Sequence, residues 1–337
     1  MLSNDDFTKY TVQSHNMNDH CLDDQNFVNA IPFPSALSTA TSGGLTGQLG
    51  LLPLELLHSI LNNLDLESLA ALLAVNRAIR SLVLSLSYLQ IIAQYAPHIW
   101  KAATAIRARR WLNLRDVYET MHHSTCEGCG DNGSYLYLLT CTRVCYLCFS
   151  RDKQFLPLGG LKAVRETELK RQEIESLPNC HTIAGTYSPS ERKHNKSRFL
   201  VDRRAAEAAL QNRRSQAVVT RRTMSGARRS TGLPPITNAS SSSPDSPQQS
   251  LELGFDDVEG NVFRYATIVQ VVSLDPRTHQ VQRLRHCLAC SQGGDIHDRQ
   301  YSFRRIYDIH NFERHIHDCR QIQHDPKRNW WRHQQDR

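Results

Sequence analysis

What this chain lacks narrows it first. No stretch of its 337 residues approaches the 18 or so consecutive apolar residues that span a bilayer. The polar, acidic opening MLSNDDFTKYTVQSHNMNDHCLDDQ has no apolar core of signal-peptide length. A soluble, intracellular protein with no membrane partner is therefore expected. There is also no Gly-rich loop to cradle a phosphate and no recognisable nucleophile signature, so an enzyme is not expected. Charge excludes less: 40 Lys and Arg against 33 Asp and Glu leave +7, which permits acidic partners without demanding them.

Cysteine is what the chain does have. In a reducing compartment its ten cysteines read as metal ligands or free thiols rather than disulfides. Cys126-x-x-Cys129 and Cys145-x-x-Cys148 are separated by fifteen residues. A two-residue gap lets both thiolates of a pair face one tetrahedral zinc at about 2.3 Å, and the intervening excursion brings the second pair back. Cys141 is a spare thiol, and His122 or His123 could compete for a position. Near the other end, Cys287-x-x-Cys290 precedes His315 and Cys319, which lie four apart and so project from one face of a helix. His286, His297, His310 and His317 are alternative donors there. Four protein ligands leave no open coordination position, so both sites are expected to hold structural zinc.

The densest apolar pattern lies in residues 49–83, LGLLPLELLHSILNNLDLESLAALLAVNRAIRSLV. Leu52, Leu56, Leu57, Ile60, Leu61 and Leu64 recur at helical spacing on one wide face. Pro53 suits a first helical turn, while Asp65 and Asn76 are placed to cap two further short helices. So small a unit cannot cover its own leucines. With each buried Leu worth roughly 1.5–3 kcal/mol, an outer partner surface is expected.

The pattern Leu52-Pro53-x-Glu55-Leu56-Leu57, followed by Ile60, Leu61, Leu64, Leu69, Leu72, Val75, Asn76, Arg77 and Arg80, resembles the F-box. The resemblance implies a trihelical module that docks on the Skp adaptor and, through it, on the cullin of a ubiquitin ligase. Leu52, Pro53, Glu55, Leu56, Leu57, Ile60, Leu61, Leu64, Leu69, Leu72 and Val75 would carry that contact. The interleaved eight ligands of a ubiquitin-transferring RING are absent. The run from Thr140 to Cys148, the stretch from Leu177 to Ser188 and the spacing Phe312, His315, Cys319 are together similar to a family of fungal F-box proteins.

In chain order, residues 1–46 are expected to be a disordered leader and 47–85 the F-box. Residues 86–190 form a helical region ending in the four-cysteine site, with Pro97 interrupting its apolar pattern once. Residues 191–255 form a basic, low-complexity linker, rich in paired arginines and then in Ser and Pro, with Ser-Pro steps at Ser243 and Ser246. Within it, residues 205–209 favour helix. Residues 256–324 form a Cys/His zinc module: a β-hairpin over residues 263–284, a third short strand at residues 301–307, and a helix capped by Asn311. Residues 325–337 are a tail. The fold class is α+β.

The first functional expectation is a substrate receptor that holds an unidentified target protein beside a ubiquitin-loaded enzyme, where catalysis is proximity supplied by other subunits. A zinc-dependent nucleic-acid or chromatin binder using the basic stretch is the alternative, as is an F-box scaffold acting outside the ligase.

Overall fold

The structure is a computed structural model that describes residues 2–13, 20–23, 26, 33–34, 48–188, 192–226, 261–292 and 302–334. Ser243, Ser246, His297 and the Ser/Pro-rich part of the linker lie outside these residues.

The three expected short helices form at Leu54–Asn62, Leu66–Leu72 and Arg77–Leu84. Pro53 sits one position before the first of them, where its fixed φ starts the helix without a missing hydrogen bond. Asp65 accepts from the amides of Glu67 and Ser68 at 3.0 and 2.8 Å, and Asn76 accepts from Ile79 at 2.8 Å. Each satisfies donors that the next helix start leaves unpaired.

Three more helices come next, at Ser87–Tyr95, Pro97–Ala105 and Leu114–His122. Pro97 is the first residue of its helix, which is why one apolar pattern becomes two helices there. The leucine-rich unit is sewn to the start of the third. The Leu66 amide donates to the Leu112 carbonyl at 2.9 Å, and the Leu114 amide to the Leu64 carbonyl at 3.0 Å. One core therefore runs from Leu61 and Leu69 through Leu89, Ile99 and Val117 to the four-cysteine region.

That region is a three-stranded antiparallel sheet with Tyr135–Tyr137 at its centre, Thr142–Val144 on one side and Ile268–Gln270 on the other. Here the structure departs from the expected hairpin over residues 263–284. Ile268 and Val269 are fully buried, so this strand joins the main core instead of pairing with the next one. Only an isolated bridge between Leu274 and Val281 remains of the hairpin.

The expected linker also folds in part. Phe199–Val201 is the central strand between Leu158–Gly159 and Asn179–His181. The buried Asp202 then starts the helix Arg203–Gly226, accepting from the Ala205 amide at 2.8 Å and from the Tyr137 hydroxyl at 3.0 Å. Basic composition hid a short apolar strand, FLV, that a core can bury.

The leader is the largest correction. Asn4–Tyr10 is a helix capped by Ser3, and Thr11–Val12 is an edge strand. Leu22 is buried, with its amide on the Ile268 carbonyl at 3.2 Å, and Phe33 packs on Trp100 with ring centroids 5.5 Å apart. The leader's apolar residues are too sparse to form a core but sufficient to cover one. Among the described residues no helix is long and apolar enough to cross a membrane. With helices gathered in the leucine-rich half and all the strands but Thr11–Val12 following it, the α+β class holds.

Candidate metal centres and an exposed apolar face

The ligand atoms of Cys126, Cys129, Cys145 and Cys148 all lie within 4.8 Å of one another. The first pair sits in a tight knuckle: the Cys126 amide donates to the Asp131 carbonyl at 2.6 Å, and the Gly130 amide to the Cys126 carbonyl at 2.9 Å. Gly130 has φ +79°, and a β-carbon on Gly128 would stand 2.8 Å from the Cys148 sulfur. The knuckle therefore needs glycine once for its turn and once for close approach. The second pair begins a helix, Tyr146–Arg151, whose N-cap is Cys145; its sulfur accepts the Cys148 amide at 3.4 Å.

Two observations test whether a metal fits. The Cys129 and Cys145 sulfurs are 3.7 Å apart, against the roughly 3.8 Å edge of a tetrahedron with thiolate arms of about 2.3 Å. The thiols also distort one another's acidity: bonds from Cys129 and then Cys145 and Cys148 pull Cys126 well down, while Cys126 chiefly drives Cys145 and Cys148 up. Four crowded sulfurs cannot all ionise without a countercharge, and a dication is the countercharge that suits them.

The competing donors are elsewhere. Cys141 turns the strand connection with φ +54°, and burial of its thiol pushes it up to about 12. His122 bonds the Tyr118 carbonyl through Nδ1 and His279 through Nε2 at 2.8 and 2.9 Å.

The second centre gathers Cys287, Cys290, His315 and His333, again with all ligand atoms within 4.8 Å. Cys290 Sγ lies 3.4 Å from His315 Nε2 and 3.3 Å from His333 Nε2, and Cys287 Sγ is 3.7 Å from His333 Nε2. These separations match a mixed thiolate and imidazole tetrahedron, whose edges are about 3.5 Å. Cys319, the fourth donor expected from spacing, ends the ligand helix Ile309–Cys319. It interacts with Cys290 and His315 but lies outside the mutually facing four, and its bond to Cys290 helps push its thiol up to about 12.

His333 faces the other three donors because the chain continues past Arg320 into a hairpin, Ile322–Asp325 with Trp330–His333. Residues 325–337 were expected to be tail. The hairpin's signal was Asp325-Pro326 followed by Asn329, turn residues between Ile322 and the adjacent Trp330 and Trp331. His333 Nδ1 lies 2.9 Å from the Arg320 carbonyl; a proton there leaves Nε2 free to ligate.

The ligand helix is capped by Asp308, which accepts the Asn311 amide at 2.8 Å, and not by Asn311. Of the rival histidines, His286 bonds the Phe303 and Arg305 carbonyls, and neither His310 nor His317 joins the group.

The two centres touch. Arg305 pairs with Asp131 of the first knuckle at 3.7 Å, Asn132 donates to Asp308 at 3.3 Å, and the Arg304 guanidinium lies 3.7 Å over the Tyr146 ring.

The leucine-rich unit divides by exposure. Leu57, Leu61 and Leu69 are buried, and Leu64 and Leu72 are half-buried, so these five pack among the helices. Pro53, Glu55, Leu52, Leu56, Ile60 and Val75 are exposed. Leu49, Leu51 and Leu54 join them, Leu51 at 84 % exposure. So many large apolar side chains on one small unit exceed the scattered singles of an ordinary surface. No curated protein and no solved structure matches the chain. A family model for the F-box domain matches residues 49–90, the stretch that carries this face.

Proposed function

We propose that the chain is a substrate-receptor subunit of a Skp/cullin/F-box ubiquitin ligase. The single observation that carries this reading is the apolar face of Leu51, Leu52, Leu54, Leu56, Ile60 and Val75, left uncovered on a unit that matches the F-box domain. Burying it against the Skp adaptor removes apolar area from water, and the adaptor links the chain to cullin. The rest of the chain, braced by zinc at the two thiolate-rich centres, presents a target protein to the ubiquitin-loaded enzyme. Proximity is then the chain's contribution to the reaction, with the bond-making groups on other subunits.

The nucleic-acid alternative is weaker on electrostatic grounds. Arg203 is near Glu166 and Glu207 at 3.6 and 3.7 Å, Arg204 pairs with Glu127 at 2.6 Å, and Arg213 donates to the Glu168 carbonyl at 2.8 Å. Guanidiniums already committed within the fold are poor phosphate ligands.

The test is co-expression of the full chain with the Skp adaptor, then size-exclusion chromatography. The wild type co-elutes with the adaptor, and the double variant Leu52→Asp, Leu56→Asp does not, while keeping its metal content. Equal co-elution of both proteins removes the receptor reading.

A further inference from the structure

The second metal centre rests on a small base of other interactions. Its buried apolar set comprises Phe7, Cys287, Ala289, Cys290, Tyr307 and Phe312, and two of these six are metal-ligand candidates. Its sheet has three strands of two or three residues: Thr11–Val12, Arg285–Cys287 and Ile306–Tyr307. Strands this short over so small a core do not hold together by apolar burial alone.

Four stretches of chain meet there, and one of them comes from the opposite end of the sequence. Thr11 is registered against Cys287, the first ligand. Arg285 Nε donates to Thr11 Oγ1 at 2.7 Å, and its Nη2 to the Thr11 carbonyl at 3.1 Å. Phe7 meets Phe312 of the ligand helix edge to face at 5.4 Å, and Tyr10 meets Trp331 of the hairpin at 5.6 Å. Each of these contacts from residues 7–11 thus ends on an element that carries a candidate ligand: Cys287, His315 or His333.

The hairpin shows a second sign of being held from outside. Arg320, which redirects the chain from helix to hairpin, has φ +74° and ψ 171°, a region normally left to glycine. Such a conformation persists only where the surroundings over-determine it. The Arg320 carbonyl is also the partner of His333 Nδ1, so the strained turn and the fourth ligand position are one unit.

We propose that a metal ion at Cys287, Cys290, His315 and His333 clasps the leader residues 2–13 to the C-terminal module, with His333 as the closing ligand and Cys319 as a neighbouring, non-ligating thiol. With the metal bound, the ligand strand, ligand helix and hairpin are fixed together and form the groove that receives Phe7 and the edge strand. Without it, the hairpin and then the leader detach, while the four-cysteine centre keeps its own metal. The clasp is independent of adaptor binding and stands whether or not the receptor reading holds.

The test uses the full chain purified with zinc. Metal content is measured by elemental analysis, and amide hydrogen exchange is monitored over residues 4–12 in the wild type, His333→Ala, His333→Cys and Cys319→Ser. His333→Ala loses about one of two zinc equivalents, and exchange at residues 4–12 rises at least about tenfold. His333→Cys, which restores a ligand, regains both the zinc and the protection; Cys319→Ser resembles the wild type in both readouts. Loss of zinc from Cys319→Ser but not from His333→Ala overturns the ligand assignment. Loss of zinc from His333→Ala with unchanged protection at residues 4–12 overturns the clasp. If His333→Ala loses both metals through misfolding, His333→Cys decides: recovery supports the proposal and failure to recover overturns it.

Discussion

The two cysteine centres use nearly the same donor chemistry in opposite settings. The first lies between Cys126 and Cys148 in one stretch of chain, against a core that continues through Tyr135, Leu136, Val144 and Phe149 to the helices. The second draws ligands from Cys287 to His333, and its six buried residues include a phenylalanine from the leader. A metal inside an established core adds to packing that already exists. A metal beneath a small core supplies much of what holds the module together. The same Cys-x-x-Cys signal thus stands in two settings, which the burial around it distinguishes.

The largest expected effect breaks the first centre. Cys126→Ser removes one of four ligands while leaving three crowded thiols, and should cost about 4 kcal/mol or more. Thermal unfolding with metal analysis checks it. The main body should unfold at lower temperature while staying cooperative, whereas His333→Ala should spare it. Equal damage from the two variants would mean that the modules fold as one unit despite their different cores.

The same contrast between inside and outside applies within the leucine-rich unit. Leu69→Ala opens a cavity at a fully buried position and should cost about 2–5 kcal/mol in denaturant unfolding. Leu56→Asp, at an exposed position on the same unit, should change stability by no more than about 0.5 kcal/mol yet remove adaptor capture. If Leu56→Asp instead unfolds the unit, the face is covered within the chain and is not open for docking.

The smallest effect concerns a helix start. Asp65→Ala removes the acceptor for the Glu67 and Ser68 amides and should lower stability by about 1 kcal/mol, read from the denaturant midpoint at unchanged slope.

Much of the local structure is legible from residues alone. Asp65 and Asn76 are readable as caps because a cap is a local arrangement of one side chain and the next two or three amides. The pairing of Cys126 and Cys129 with Cys145 and Cys148 is readable because two-residue spacing restricts where the sulfurs can point. His333 is not readable in the same way. Its place depends on a hairpin folding back across Arg320, and Cys319 satisfies the local helical spacing equally well. Which of Leu56 and Leu57 faces outward is likewise hidden, since both belong to one apolar pattern and only the neighbouring helices decide which of them is covered.

The sequence by itself determined the helix starts at Asp65 and Asn76, the Cys126–Cys129 knuckle and the leucine-rich helical unit, because each depends on residues within a few positions of one another. Tertiary structure alone decided that residues 7–12 of the leader pack on the C-terminal module, that Ile268–Gln270 belongs to the four-cysteine sheet, and that His333 rather than Cys319 faces the other three donors. Those outcomes join residues far apart in the chain, where loop closure and the shape of an assembled core determine which apolar strand or spare donor is covered, and no local spacing records the result.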